Sequence, residues 1–325
     1  MKRKLRLLDL GKVEWHKTQT VYHAAAASLS ESDHDTLILC QPDSSYLCLG
    51  YHQNFDDVFD RRRVDASGFP VIRRQIGGGA TYLDENQFFY QFVSSKKRVP
   101  AAFADIFRYF LKVPVSVLHR LGLNAELRKT NEIEVEGRRI AGTGGGFIEN
   151  SCIVVGNFLN DFDYDTMSDV WSCPSESFRS LASLALKENV RTLGSYLLTP
   201  AYDELKRLFV EETEKTFDVT VERAFPDDEL LSQAELLRAE LTGTTAVNEK
   251  SRNRQKVLKI SANAFVHYDS IAVGGEEVWG SFYVKKGTIE KVIFDEDGLP
   301  IDPDALVGVR FMNWKDESSI VDLTR

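Results

Sequence analysis

Apolar and polar positions along this chain sort into short runs and helical stripes. Tyr22 to Ser30 is alanine-rich and predicts a helix. Thr36 to Cys40 is a short apolar run between polar stretches and predicts a strand. A turn signal at Pro42 to Ser45 separates it from a second strand, Tyr46 to Leu49, which ends at Gly50. Pro70 to Arg74 reads as a strand running into a glycine loop. Gln87 to Val93 is dense in aromatics and predicts a strand buried on both faces. Between Ala101 and Leu123, Phe103, Ile106, Phe107, Phe110 and Leu111 recur at helical spacing, and Pro114 must kink or restart that helix.

Asn131 to Val135 and Gly137 to Ala141 predict a hairpin that turns near Glu136-Gly137, and Cys152 to Phe158 another apolar strand. Two acidic amphipathic helices follow, about 202–217 and 228–241, with Asp227 as N-cap of the second. The stretch from Leu241 to Arg254 is mostly polar and reads as a linker. Beyond it, Val278 to Val284 and Thr288 to Phe294 flank Lys285-Lys286-Gly287 as a hairpin. Strands and helices do not alternate regularly. That favours an α+β fold with mixed or antiparallel sheets over a doubly wound parallel one. Two domains are expected: a larger one over residues 1–245 and a small, β-rich one over 250–325.

Length agrees with two domains, since 325 residues exceed the usual span of one. Hydrophobic residues are 43% and charged residues 27%, which excludes a disordered or fibrous chain. A net charge of -9 argues against wrapping nucleic acid by bulk charge and leaves room for a local basic pocket. Cys40, Cys48, Cys152 and Cys173 form no Cys-x-x-Cys pair and have no histidine cluster beside them, which argues against a zinc site and a disulfide framework. A reducing cytoplasm is the expected compartment. The basic N-terminus lacks a signal-peptide apolar stretch, and no window approaches the ~20 apolar residues of a membrane span.

Candidate chemistry concentrates in two glycine clusters. Arg73 and Arg74 lead into Gly77-Gly78-Gly79-Ala80, and Arg138-Arg139-Ile140-Ala141 leads into Gly142-Thr143-Gly144-Gly145-Gly146. Glycines let backbone N–H groups approach an anion, and guanidinium forks suit phosphate or carboxylate. A lone glycine triplet is better read as a flexible turn. Two such clusters led by arginines suggest two walls of a site for an anionic ligand. The first cluster matches neither a Walker loop nor the dinucleotide fingerprint. Asn131, Glu132 and Asn157 flank these clusters, although asparagine at strand ends is also common turn chemistry.

These segments resemble the lipoate–protein ligase family. Its signature is similar to Arg73-Arg74 through Gly77-Gly78-Gly79-Ala80, followed by Tyr82, Asp84 and Asn86. Gly50-Tyr51-His52-Gln53-Asn54 resembles an upstream Gly-x-x-Gln-Asn segment. Asn131-Glu132-Ile133 and Gly137 to Gly142 resemble Asn-Asp-Leu and Gly-x-Lys-Ile-Ser-Gly. The resemblance covers residues 1–245, and more weakly the C-terminal part as an accessory domain. It implies a catalytic domain like those of biotin and lipoate ligases. It further implies adenylation of lipoate by ATP with Mg²⁺, and transfer to a lysine of a lipoyl carrier domain. The residues implied to bind substrate and ATP are Arg73, Arg74, Gly77, Gly78, Gly79, Ala80, Asn86, Asn131, Glu132, Gly142, Thr143 and Asn157.

The family's lysine that bridges carboxylate and α-phosphate falls on Arg139, and Lys129 lies nearby in sequence. The pattern also departs at Leu83, Tyr51 and Gly144 to Gly146. Phe88, Phe89, Tyr90 and Phe92 are rich enough to line an apolar slot, but read equally as core. Two other readings stay open. One is an octanoyl or lipoyl transferase with Cys173 as nucleophile. The other is a non-catalytic lipoate-binding protein, suggested by Arg139.

Overall fold

The structure, a computed structural model, describes residues 2–30, 34–243, 256–273, 276–296, 299 and 301–316. Most of the expected linker, from residue 244 on, lies outside the described residues. The chain divides into two compact units. The first comprises residues 1–55, 68–162 and 191–249; the second comprises 56–67, 163–190 and 250–325.

The first unit is built on twelve strands: β1 (Arg3–Val13), β2 (Asp35–Pro42), β3 (Tyr46–Leu49), β4 (Val71–Arg73), β5 (Thr81–Leu83), β6 (Gln87–Ser95), β7 (Ala125–Arg128), β8 (Glu132–Val135), β9 (Arg138–Arg139), β10 (Ala141–Ile148), β11 (Ser151–Leu159) and β12 (Val219–Ala224). Six of them form a mixed sheet in the order β10-β11-β6-β2-β1-β12. β1 runs parallel to both β2 and β12, and the other pairs are antiparallel. Two three-stranded sheets, β4-β3-β5 and β7-β8-β9, complete the unit.

Every residue of β6 is buried, as its apolar pattern predicts for a central strand. Alternation then sends its side chains to opposite faces. Phe88, Tyr90 and Phe92 meet Phe110 and Phe209 from the helices Phe103–Phe110 and Tyr202–Phe217. Tyr90 stacks on Phe209 at 4.9 Å, and Phe92 on Phe110 at 5.1 Å. On the other face, Ile38, Val93 and Ile153 meet the helix Lys17–Ser28 and Leu230 and Ala234 of the helix Asp228–Thr242. Ala24, Ala25 and Ala26 are small enough to let that helix lie close to its neighbours, and all are buried. Phe89 packs with Tyr46 and Ile72. The four aromatics offered as a ligand slot are therefore buried in the core, with Phe88 also bordering a cavity. Each buried ring stabilises the fold by about 1.5–3 kcal/mol.

One sequence expectation changes here. Gly142 to Gly146 belongs to strand β10, paired along its length with β11, rather than to a loop. Glycine has low strand propensity, and the ladder to β11 overrides it. The helix break falls as Pro114 demands: a new helix, Lys112–Arg120, begins after Phe110 with the proline in its first turn. The hairpin between β8 and β9 turns at Glu136 and Gly137, both at positive φ (53° and 73°), the geometry that matches strand twist.

The second unit contains a four-stranded antiparallel sheet, β13 (Val257–Ser261), β14 (Ala264–Val273), β15 (Glu276–Lys285) and β16 (Thr288–Phe294). The helix Glu176–Asn189 packs on it. Asn189 donates from Nδ2 to the Tyr283 hydroxyl at 2.7 Å, and Ser177 and Ser281 hydroxyls lie 3.1 Å apart. Fold class is thus α+β with a separate small antiparallel sheet toward the C-terminus.

Candidate functional site

The loop after β4 is held from two sides, both within the first unit. Arg74 N–H donates to the Leu49 carbonyl at 3.0 Å, and Tyr51 N–H to the Ile76 carbonyl at 3.1 Å, so the chain after Gly50 lies against the loop. A Cβ on Gly50 would stand 2.0 Å from the Gly78 carbonyl oxygen, a distance no side chain can occupy. Gly78 itself sits at φ +125°, and a Cβ there would strike the Arg74 guanidinium at 2.4 Å. From the other side, Gly77 N–H donates to the Gly145 carbonyl at 3.1 Å. The two glycine clusters do meet, as backbone to backbone.

The two arginines divide the work. Arg73 donates from Nη1 to the carbonyls of Gly50, Tyr51 and Gln53, which ties the 50–53 segment to β4. Gly50 N–H in turn donates to Gln53 Oε1 at 3.0 Å. Arg74 is buried, 6% exposed, beneath the exposed Gly78 and Gly79. Its Nη2 donates to the Gly79 carbonyl at 2.8 Å and its Nη1 to Cys48 Sγ at 3.3 Å. Among the described residues no carboxylate pairs with it. A guanidinium out of water with only neutral acceptors carries an unmet demand for negative charge.

His23 was not among the residues singled out from sequence. It is buried in the helix Lys17–Ser28 and accepts the Gln75 N–H at Nε2, 2.9 Å, while its Nδ1 donates to the Gln19 carbonyl at 2.5 Å. These two bonds fix the neutral Nδ1–H tautomer. Burial pushes its pKa down to about 4, with nearby Arg74 adding to the shift. The only trace in the sequence is a lone imidazole before an alanine run.

Arg139 stands on β9, partly exposed, with Nη2 2.7 Å from Oε1 of the buried Glu132 on β8. Thr143 on β10 donates its hydroxyl to the Asn131 carbonyl. Asn157 on β11 faces Gly142 in register and donates from Nδ2 to Oε1 of the buried Gln87 at 2.6 Å. Among the described residues, no hydrogen bond joins the side chains of Asn86 or Ala80 to these groups. Asn86 occupies an exposed turn, its N–H bonded to the carboxylate of buried Asp84, and borders a cavity of about 220 Å³ with Gln41, Glu85, Phe88, Asn160 and Tyr202. Ala80 leads out of the glycine loop into β5. Lys129 lies in an exposed turn at φ 51°.

Residues 17–214 match the family model of the lipoyl protein ligase A/B catalytic domain. The chain belongs to that family. Lipoate-protein ligase LplJ of Bacillus subtilis is 26% identical over 46% of this chain and 45% of its own length. Octanoyltransferase LipM of Halalkalibacterium halodurans is 22% identical over 54% of this chain and 73% of its own. The chain spans about half the length of the bacterial ligases it matches. Among solved structures, the bi-partite lipoate protein ligase of Thermoplasma acidophilum, described with its E2 lipoyl domain, superposes with a TM-score of 0.66. Its identity is 21%, over 78% of this chain and all of that one. Lipoate-protein ligase A bound with ATP superposes with a TM-score of 0.61 at 22% identity, over 73% of this chain and 94% of that one. These likenesses establish the lipoate-ligase fold for residues that the sequence had grouped by motif.

Cys173, the nucleophile of the transferase reading, belongs to the second unit and is only partly accessible. Burial pushes its thiol up to about 11, with Arg179 pulling weakly the other way. At neutral pH it is a thiol, the less reactive form. Cys40, Cys48 and Cys152 are buried. No described helix is long and apolar enough to cross a membrane.

Proposed function

We propose that this protein is an ATP-dependent lipoate–protein ligase acting in a reducing cytoplasm. The carboxylate oxygen of lipoate attacks the α-phosphorus of ATP, the α–β anhydride bond breaks, and pyrophosphate leaves. The amine of a carrier lysine then attacks the mixed-anhydride carbonyl, forming an amide and expelling AMP. The observation that carries this reading is Arg74, a buried cation without a carboxylate partner among the described residues, under the exposed Gly78-Gly79 turn. Such a floor offsets the repulsion between a carboxylate and a polyphosphate, the main obstacle to bringing them together. The ATP-bound ligase of the same fold supports the nucleotide, and the archaeal ligase described with its E2 lipoyl domain supports the carrier.

Arg139 takes the place of the family lysine, and the Glu132 carboxylate orients it. Its fork then favours two oxygens at once, on carboxylate and α-phosphate. Mg²⁺ would enter with ATP. The nearest carboxylate of the motif, Glu132, is already paired with Arg139, so the residues present do not offer the ion a free ligand there.

The test measures pyrophosphate release with lipoate and ATP for the unmutated protein, Arg139→Ala, Arg139→Lys and Lys129→Ala. We expect Arg139→Ala to abolish release and Arg139→Lys to keep part of it. Full activity in Arg139→Ala removes that residue from the chemistry. No release by the unmutated protein, with an acyl adduct on Cys173 by intact mass, selects the transferase reading; no release and no adduct selects a binding protein.

A further inference from the structure

Apart from the two glycine clusters, the first unit gathers a second set of donor side chains, on the segment before the helix Lys17–Ser28 and on the helix Asp228–Thr242. His16 is 1% exposed, and neither Nδ1 nor Nε2 has a hydrogen-bond partner. Its Nε2 faces two carboxylates: Oε2 of Glu14 at 3.6 Å and Oε1 of Glu235 at 3.8 Å. The three donor atoms lie within 4.8 Å of one another. Both separations from the imidazole are too long for a hydrogen bond. Two unmet nitrogens on a buried ring are costly, because each has lost its hydration without gaining a partner. Something positive between the imidazole lone pair and the carboxylates would satisfy all three.

We propose that Glu14, His16 and Glu235 form a binding site for a divalent transition metal of the zinc class. Imidazole with carboxylates is a donor set suited to such ions. Metal–ligand bonds of ~2.0–2.2 Å place neighbouring donors of a tetrahedral site about 3.4 Å apart. The two separations from the imidazole, 3.6 and 3.8 Å, are wider by a few tenths of an ångström, and rotation of two half-exposed glutamates has to bring together three atoms that now lie within 4.8 Å of one another. Three protein donors leave a fourth position for water. The four cysteines take no part, so this site is independent of the cysteine zinc pattern that the sequence argues against.

Two cations compete for the carboxylates. Lys17 Nζ lies 2.8 Å from the same Glu14 Oε2, and Arg238 Nη1 lies 3.7 Å from Glu235 Oε2. Arg238 engages the outer oxygen and leaves Oε1 for the metal. Lys17 must turn away, which its flexible chain permits. A metal held there cross-links the start of the first helix to the helix Asp228–Thr242.

The experiment uses the untagged full chain, stripped with a chelator and titrated with Zn²⁺ by calorimetry and with Co²⁺ by visible absorption. We expect one equivalent bound with four-coordinate cobalt bands and a rise in Tm. Glu235→Gln and Glu14→Gln, both at half-exposed positions that leave the core intact, should each weaken binding roughly ten-fold or more. His16→Gln should abolish the cobalt bands, with circular dichroism checking its fold. Pyrophosphate release without added metal beyond Mg²⁺ should be unchanged in the two glutamate variants. Absence of stoichiometric binding by the unmutated chain overturns the proposal. Undiminished binding in both glutamate variants overturns it equally, by placing the metal elsewhere.

Discussion

Arg74 and His23 show how single residues set the glycine loop. Arg74→Ala removes the buried cation and its bond to the Gly79 carbonyl, and with them, on the proposed function, a charge-assisted contact to the acyl-adenylate in a desolvated site. The expected loss is about 2–4 kcal/mol of transition-state stabilisation, tens- to roughly a thousand-fold in kcat/KM. Gly78→Val should do at least as much, because its side chain would collide with that guanidinium. Near-normal kinetics in both variants would take the loop out of the chemistry. His23 makes the same loop sensitive to acid. Its folded pKa, about 4, lies below the ~6.5 of an unfolded histidine. The unfolded chain therefore binds the extra proton between these values. The stability contributed is fully present above about pH 6.5 and is lost as pH falls toward 4, by about 3 kcal/mol in all. Denaturant melts at pH 7 and pH 4 should show this excess loss in the unmutated protein relative to His23→Gln. Equal losses would show that His23 is not the group responsible.

Elements that carry their own start and stop signals were the most legible. The helix Tyr202–Phe217 falls where its amphipathic stripe ends, and the Asp227 carboxylate accepts the Leu230 N–H at 2.8 Å as the expected N-cap. Asp227→Ala should therefore cost about 1 kcal/mol, read as a lowered denaturation midpoint with an unchanged slope. No change would mean that the helix end is capped by something else. Lys286 and Gly287 turn the β15–β16 hairpin at φ 52° and 82°, as their spacing predicts. Less legible were elements whose conformation depends on a distant neighbour. Apart from Thr143, Gly142 to Gly146 has no side chains to announce a strand, and the ladder to β11 makes it one. Within the candidate site, the arginines and glycines were visible because their chemistry is local. Gln75's anchor on His23, 52 residues away in sequence, was not. Nor could sequence tell that Arg74 lacks a carboxylate partner among the described residues while Arg139 has Glu132.

At the scale of the molecule, chain order and packing part company. The expected boundary near residue 245 follows composition, yet the helix Glu176–Asn189 belongs to the same compact unit as the C-terminal sheet. Phe178, Leu181, Ala182, Ala185 and Leu186 are buried on it, and it packs against β14 and β15. Phe178 lies edge-on to Tyr268, with centroids 6.4 Å apart. A chain cut at 245 would keep this helix and lose the sheet that covers it. Uncovering Phe178, Leu181 and Leu186 forfeits about 1.5–3 kcal/mol for each, a large part of a small unit's stability. It also creates an exposed apolar stripe of the kind that drives association. Residues 1–245 expressed alone should therefore be poorly soluble or bind a hydrophobic dye strongly. Supplying residues 250–325 as a separate chain should reduce both effects. Replacing Phe178, Leu181 and Leu186 with polar residues should rescue solubility of the short chain and destabilise the full one. A soluble, dye-silent, monomeric 1–245 fragment would show instead that the helix finds cover within the shorter chain, and that the composition boundary is also the folding boundary.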